Sequence, residues 1–346
     1  ARRAGAGTTR ARLSWGDRLG EAGVWKVSAR AWYPNAVVQT AGLGDDEIEP
    51  RMSDAFAKID VPLGEGGSLE LQALAADDEI VFASEEGDER ADASGSSWHV
   101  WGRWKRHWSD RTSSETVVGL GDVDRIRAGE SRNAPDLQLR VEDDRSLDFQ
   151  SLSHRSSVRV GKRQVFQAGF QLRRLDARYD YRVHGVDENG AVSRLLQLEQ
   201  SGTSFAVFAG SRFRLSRALV AEIGARWDRQ SYTEGKQLSP RLHVAWSPSA
   251  RSILRVSLGR YAQSQRIHEL EVEDGVTEFN RAETSDQASA SWEVESSRGW
   301  SYRVGAFVRL LHDLRPRFEN LYNPLELFPE VQRDRIRVDA NRARSR

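Results

Sequence analysis

Apolar and polar residues alternate with a period of two along much of the chain. In one such run Ile223 and Trp227 lie on one side and Arg226 lies on the other, and runs around Val244 and Val256 repeat the pattern. A period of two is that of a β-strand with one apolar and one polar face. The chain is therefore predicted to be all-β.

The alternation, together with turn residues, predicts about sixteen strands. They are 10–15, 24–33, 52–61, 68–75, 98–108, 114–121, 137–141, 146–152, 155–160, 164–182, 205–214, the three runs named above, 285–294 and 300–311. The acidic stretch 76–97 and the Pro- and charge-rich stretch 312–346 are predicted to be loops.

The connections between these strands alternate in length from residue 161 onward. Short connections at 161–163, 215–217, 247–252 and 295–299 alternate with longer ones at 184–202, 229–239, 264–284 and from 312. Hairpins with short turns at one end and long loops at the other are typical of an outer-membrane barrel. A sandwich with Greek-key crossings gives no reason for this regularity.

Composition is compatible with such a barrel. Lys and Arg number 51 and Asp and Glu number 51, so no bulk charge draws the chain to nucleic acid. There is no cysteine, which excludes disulfides and thiolate metal sites. Mean hydropathy is −0.62, and a barrel also scores as hydrophilic because every second strand residue faces a wet interior. The chain begins with Ala1 and no signal peptide is recognisable, so we expect a fragment of a longer protein.

Several short motifs follow one another in a fixed order. They are Ser239-Pro240-Arg241, then Gly259-Arg260-Tyr261 with Gln263, then Glu269-Leu270, then Phe318-Glu319-Asn320-Leu321 and Phe328-Pro329-Glu330. Their order and spacing resemble the barrel of TonB-dependent outer-membrane receptors, and the close resemblance covers roughly residues 164–346.

The resemblance implies a 22-stranded antiparallel transmembrane β-barrel in the outer membrane of a Gram-negative bacterium, of which residues 1–346 form a part. It implies a plug domain that this chain lacks, and energised uptake of a siderophore, cobalamin or glycan through the TonB complex. Outer-membrane lipid and lipopolysaccharide are the expected surroundings. Neither an enzyme nor a cofactor is expected. A passive porin-like channel and a soluble β-rich carbohydrate-binding module are the alternatives.

No arrangement of residues marks a catalytic or metal site. Polar-face residues are the candidates for the lumen and for contact with a substrate: Arg226, Asp228, Arg241, His243, Arg255 and Arg303. The acidic stretch would serve mainly as a solvated loop, with cation binding or a calcium bridge to lipopolysaccharide as the alternative. Its carboxylates are Asp77, Asp78, Glu79, Glu85, Glu86, Asp88 and Glu89.

Overall fold

The protein is described here from a computed structural model. The structure describes residues 9–20, 23–33, 47–84, 88–134, 137–187, 190–233, 235–322, 328–332, 334–340 and 342–345. Glu85 and Glu86 lie outside these ranges. The described part of the chain contains no helix with the length and hydrophobicity to cross a membrane.

Strands make up most of the described chain. The first seven are β1 (Thr9–Leu19), β2 (Gly23–Tyr33), β3 (Glu47–Pro62), β4 (Gly67–Ala83), β5 (Glu89–Ser109), β6 (Thr112–Ala134) and β7 (Leu137–Val160). The next seven are β8 (Gln164–Asp187), β9 (Gly190–Arg214), β10 (Leu219–Gln230), β11 (Lys236–Ser249), β12 (Ser252–Gln263), β13 (Glu283–Glu295) and β14 (Ser301–His312). Short strands follow: β15 (Arg317–Asn320), β16 (Arg335–Val338) and β17 (Arg342–Ser345). Two 3₁₀ turns cover Val272–Asp274 and Pro329–Val331.

The first fourteen strands form one antiparallel sheet in chain order, and β17 extends it beside β14. Each strand hydrogen-bonds to the strand before and after it, whereas β15 and β16 pair separately. This up-and-down order is that of the wall of an antiparallel transmembrane β-barrel. The fifteen strands of the sheet agree with the predicted architecture.

Several predicted loops are in fact strand. The acidic stretch 76–97 belongs mostly to β4 and β5, which pair from end to end. The described residues of 184–202 belong to β8 and β9, and just over half of 229–239 belongs to β10 and β11. The three candidates between 137 and 160 are the single strand β7. Residues 312–346 include three short strands, so that stretch is not simply a loop either.

Strand length divides the sheet into a shorter and a taller part. Strands β6 to β9 contain 23 to 25 residues, whereas β10, β12 and β14 contain 12 each. A tilted strand needs only about 9–11 residues to cross a bilayer. About a dozen residues of each tall strand therefore extend beyond the membrane, which at roughly 3.3 Å per residue is about 40 Å of additional wall.

The polarity of both faces of the sheet reverses at one level. That level is a row of directly paired residues, Asp122 of β6, Asp148 of β7, Asp176 of β8 and Ser201 of β9, which we call the inversion row. We call the face that carries Ile223 the outer face and the face that carries Arg226 the inner face. Between the row and the short turns, the outer face is apolar and the inner face is polar.

The outer face below the row leaves large apolar side chains uncovered. Ile223 is 58% exposed and Trp246 is 47% exposed, and Leu120 and Leu172 are exposed as well. Above the row the outer face of β8 is charged, as at the Asp180–Arg182 ion pair, and its inner face is apolar. This arrangement suits a wall that is surrounded by lipid below the row and by water above it.

Candidate functional site

The apolar inner face above the inversion row is the core of the protein. Val141 of β7 and Ala177, Tyr179 and Tyr181 of β8 are buried there. Two later segments of the chain cover this face, namely 264–282 and the described residues of 317–338, which include the hairpin β15–β16; we call them the cover. They contribute the buried side chains Ile267, Leu270, Val272 and Phe328. Burial of these side chains provides the main stabilisation of the cover.

Tyr179 fastens the first cover segment to the wall by hydrogen bonds. Its hydroxyl donates to the carbonyl oxygen of Ile267 over 2.6 Å and accepts from the backbone N–H of Leu270 over 3.2 Å. Burial raises the pKa of Tyr179 to about 12. The hydroxyl therefore stays protonated and keeps both bonds at any physiological pH.

A cluster of ion pairs continues this attachment. Arg145 binds Asp143 over 2.8 Å and Glu273 of the cover over 2.6 Å. Arg127 lies between Asp143 and Glu330, so it connects the wall to the second cover segment. Burial disfavours the charge of Arg145, but Asp143 and Glu273 outweigh that effect and raise its pKa. The guanidinium stays charged, and the carboxylates hold it in place.

The second cover segment depends on a glycine in the wall. Phe328 is buried against β6, where a Cβ atom at Gly129 would overlap both the Phe328 ring and the carbonyl oxygen of Arg90. Arg335 secures the same segment by a bidentate pair with Asp274, at 2.6 and 2.9 Å. The two cover segments are thus attached to each other as well as to the wall.

A cavity of about 450 Å³ lies against the inner face of β8 to β11, below the cover; we call it the lumenal cavity. Its lining includes the predicted lumen residues Arg226, Arg241 and His243. Arg226 binds Asp228 over 2.8 Å and also donates to the Gln171 amide oxygen over 2.8 Å. The structure therefore brings four of the six predicted residues together.

The other two predicted residues meet elsewhere. Arg255 and Arg303 both bind Glu293, at 2.8 and 3.0 Å, on the wall formed by β12 to β14. Within the described ranges, no group of three His, Asp or Glu side chains is placed to hold a metal ion. Contact between a substrate and any of the six predicted residues stays a prediction.

A second cavity, of about 510 Å³, lies between the cover and β4 to β7; we call it the mouth cavity. Its charged lining on the inner side consists of four arginines and four carboxylates, Arg125, Arg127, Arg145, Arg335, Asp78, Asp143, Glu273 and Glu330. Ser97 of β5 also lines it on the inner face, whereas Asp124 borders it from the outer face. Its volume lies within the roughly 300–1,000 Å³ of ordinary small-molecule sites.

The strand motifs found in the sequence have structural roles. The guanidinium of Arg241 lies 4.7 Å from the centre of the Tyr261 ring. Both pack over Gly259, where a Cβ would be 3.2 Å from the Tyr261 ring and 3.4 Å from the Arg241 side chain. Ser239 is buried, and Arg260 pairs with Asp286 at 2.7 Å on the outer face. Pro240 lies within β11 and Gln263 ends β12.

The remaining motifs belong to the cover. Leu270 is fully buried, and Glu269 accepts a hydrogen bond from Arg315 over 3.2 Å. Asn320 donates to the carbonyl oxygen of Pro329 over 2.9 Å, next to Glu330. Sequence reasoning identified these motifs but did not predict Arg127, Asp143, Arg145 or Tyr179, the wall residues to which the cover attaches. The sequence did contain one signal for these residues: aromatic residues, which are usually buried, lie there within a stretch of charged residues.

Comparison with known proteins gives a family and a fold. The family model described as "TonB dependent receptor-like, beta-barrel" matches residues 62–313. A search of curated proteins gives no match. Among solved structures, a mutant of the ferric enterobactin receptor PfeA from Pseudomonas aeruginosa superposes with a TM-score of 0.69 at 14% identity, covering 93% of this chain and 53% of that one.

Two further structures agree. The ferric-catecholate import receptor Fiu from E. coli K12 has a TM-score of 0.68 at 9% identity, covering 92% of this chain and 58% of its own. The siderophore receptor PirA from Pseudomonas aeruginosa has a TM-score of 0.66 at 14% identity, with coverages of 97% and 58%. The chain spans somewhat more than half the length of these structures, and at such identities the likeness concerns the fold. With the family match, it rules out the soluble carbohydrate-binding alternative. The chain belongs to the TonB-dependent receptors, of which it forms β-barrel wall.

Proposed function

We propose that this chain is the wall and mouth of an outer-membrane receptor that takes up a scarce ligand with energy from the TonB complex. The observation that carries the proposal is the cover. Buried apolar side chains, the Tyr179 hydrogen bonds and the arginine ion pairs hold two chain segments over the inner face. A receptor that binds a ligand and then opens needs such a closed mouth, whereas a passive channel needs a clear path.

The ligand is proposed to be an iron chelate of the siderophore class. The similar solved structures named above are a ferric enterobactin receptor, a ferric-catecholate import receptor and a siderophore receptor, which supports this class over cobalamin or a glycan. The mouth cavity is the proposed place of first binding, and the lumen residues Arg226, Asp228, Arg241 and His243 would lie further along the path. Arg255 and Arg303 would contribute to the polar inner wall.

The surroundings and partners follow from the same proposal. The exposed apolar outer face below the inversion row would contact lipid of a Gram-negative outer membrane, and lipopolysaccharide would occupy its outer leaflet. A plug domain of the full-length protein would fill the lumen and connect it to the TonB complex. Transport in this proposal involves binding and movement, with no chemical conversion of the ligand.

Uptake of radiolabelled iron(III) chelates by a Gram-negative host tests the function. The host lacks its own chelate receptors and expresses the full-length protein, and uptake is measured with TonB intact and with TonB inactivated. We expect saturable uptake that disappears without TonB. Uptake that continues without TonB and does not saturate would instead favour the porin-like alternative.

A further inference from the structure

The charges that line the mouth cavity nearly cancel. On the inner side its four arginines face four carboxylates, so the lining as a whole carries no excess of positive charge. A cavity that is suited to a polyanion shows the opposite, a surplus of arginine or lysine that focuses positive potential on the ligand.

Two of the arginines that point into the cavity are also already engaged. Arg145 uses its donors on Asp143 and Glu273, at 2.8 and 2.6 Å, and Arg127 lies between Asp143 and Glu330. The side chain of Asp143 is 7% exposed and that of Glu330 is 1% exposed. A polyanion that took these arginines would leave the two carboxylates buried, unpaired and beside its own negative charge, which is strongly unfavourable.

An uncharged hydrogen-bonding side chain also lines the cavity between the ion pairs. Ser97 of β5 lies on the inner face, with Gly95 two residues away on the same face. A hydroxyl group binds amide-like and hydroxamate-like oxygen atoms without any requirement for net charge.

Resting on the function proposed above, we propose that the mouth cavity selects an iron chelate that is neutral or carries a positive charge, and that it discriminates against polyanionic chelates. Charge balance within the cavity, rather than a cationic surface, sets this selectivity. The carboxylates of the cover contribute to it directly, because Glu273 and Glu330 line the cavity.

Binding of three iron(III) chelates to the full-length protein in detergent tests the proposal. The probes are a neutral cyclic trihydroxamate complex, a monocationic linear trihydroxamate complex and a trianionic tris-catecholate complex. We expect the neutral and cationic complexes to bind at least about tenfold more tightly than the trianionic one at low salt, with a smaller ratio at high salt. Tightest binding of the trianionic complex would overturn the charge selectivity while leaving the transport function intact. Binding of none of the three would refute the proposed function itself and the selectivity with it.

A single substitution distinguishes selection of the chelate by its charge from selection by its shape. Glu330→Gln removes one negative charge next to Arg127, and we expect it to raise affinity for the trianionic complex about tenfold while affinity for the neutral one stays within about twofold. The matched control is Glu319→Gln in the same cover segment, where the side chain is 48% exposed and pairs with Arg317. We expect no change in either affinity there.

Because Glu330→Gln could itself disrupt the cover, a second variant changes a carboxylate outside the cover. Asp78→Asn removes a carboxylate that lines the cavity from β4 and does not belong to the cover. The same rise in affinity for the trianionic complex is expected. An unchanged preference in both variants, with neutral binding retained, would contradict the proposed role of these carboxylates.

Discussion

Removal of one oxygen atom should release the first cover segment from the wall. Tyr179→Phe keeps the ring in place but leaves the Ile267 carbonyl and the Leu270 N–H without their partner, and both residues are fully buried. Each of the two unsatisfied buried groups costs about 1–3 kcal/mol, so we expect a loss of about 2–6 kcal/mol in the attachment of the segment. At 1.4 kcal/mol per factor of ten, local opening should increase at least about 30-fold.

Hydrogen exchange of the Leu270 amide in the detergent-folded protein measures that opening. We expect faster exchange across 264–282 and unchanged exchange in β10 to β14, because the perturbation is local. Tyr232→Phe is the matched control, since Tyr232 contacts the same segment through its ring, 5.0 Å from that of Phe279. If the Leu270 amide in Tyr179→Phe exchanged at the wild-type rate, the hydroxyl would not be what fastens the cover.

Four other substitutions test the wall, the second cover segment and the response to pH. Ile223→Arg on the outer face should cost roughly 2–4 kcal/mol of folding free energy in lipid vesicles, measured by denaturant titration, whereas His243→Arg on the inner face should cost much less. Gly129→Val should expel Phe328 and also push β6 away from the Arg90 carbonyl oxygen of β5, and limited proteolysis should then cut within 328–335. The N–H of Arg266 and the Arg315 side chain outweigh burial and lower the pKa of Glu269, so the stability from its charge is present above about pH 4.5 and is lost as pH falls through the lowered value. Wild-type protection of 264–282 should therefore fall on acidification relative to Glu269→Gln, and equal pH profiles would contradict that assignment.

The sequence was most informative where each face of the sheet keeps one polarity along whole strands. Around Ile223, Val244 and Val256 the alternation keeps its phase over whole strands, and the predicted strands there agree closely with β10, β11 and β12. The short turns predicted between consecutive strands in this part of the chain are also found in the structure. Period-two reasoning works in this part because one face stays apolar and the other stays polar along whole strands.

Above the inversion row the same reasoning failed for a physical reason. The apolar residues of β7 change faces there, from Leu152 on the outer face to Val141 on the inner face, and the phase break made one strand look like three pieces. Predicted strands ended at Ala75 and began again at Trp98, which are paired with each other at the level of the row. The cover could not be predicted for a different reason: its contacts join residues far apart in the sequence, such as Arg127 and Glu330.

The inversion row also constrains how the length of these strands can change. A single residue inserted into β8 below Asp176 shifts the register by one and turns every side chain beyond it to the opposite face. Tyr179 and Tyr181 would then point to water and Asp180 into the core. An insertion of two residues returns every side chain to its original face and only lengthens the strand by one pleat. Length differences among functional versions of these tall strands should therefore accumulate in pairs, or be absorbed by bulges at the row itself.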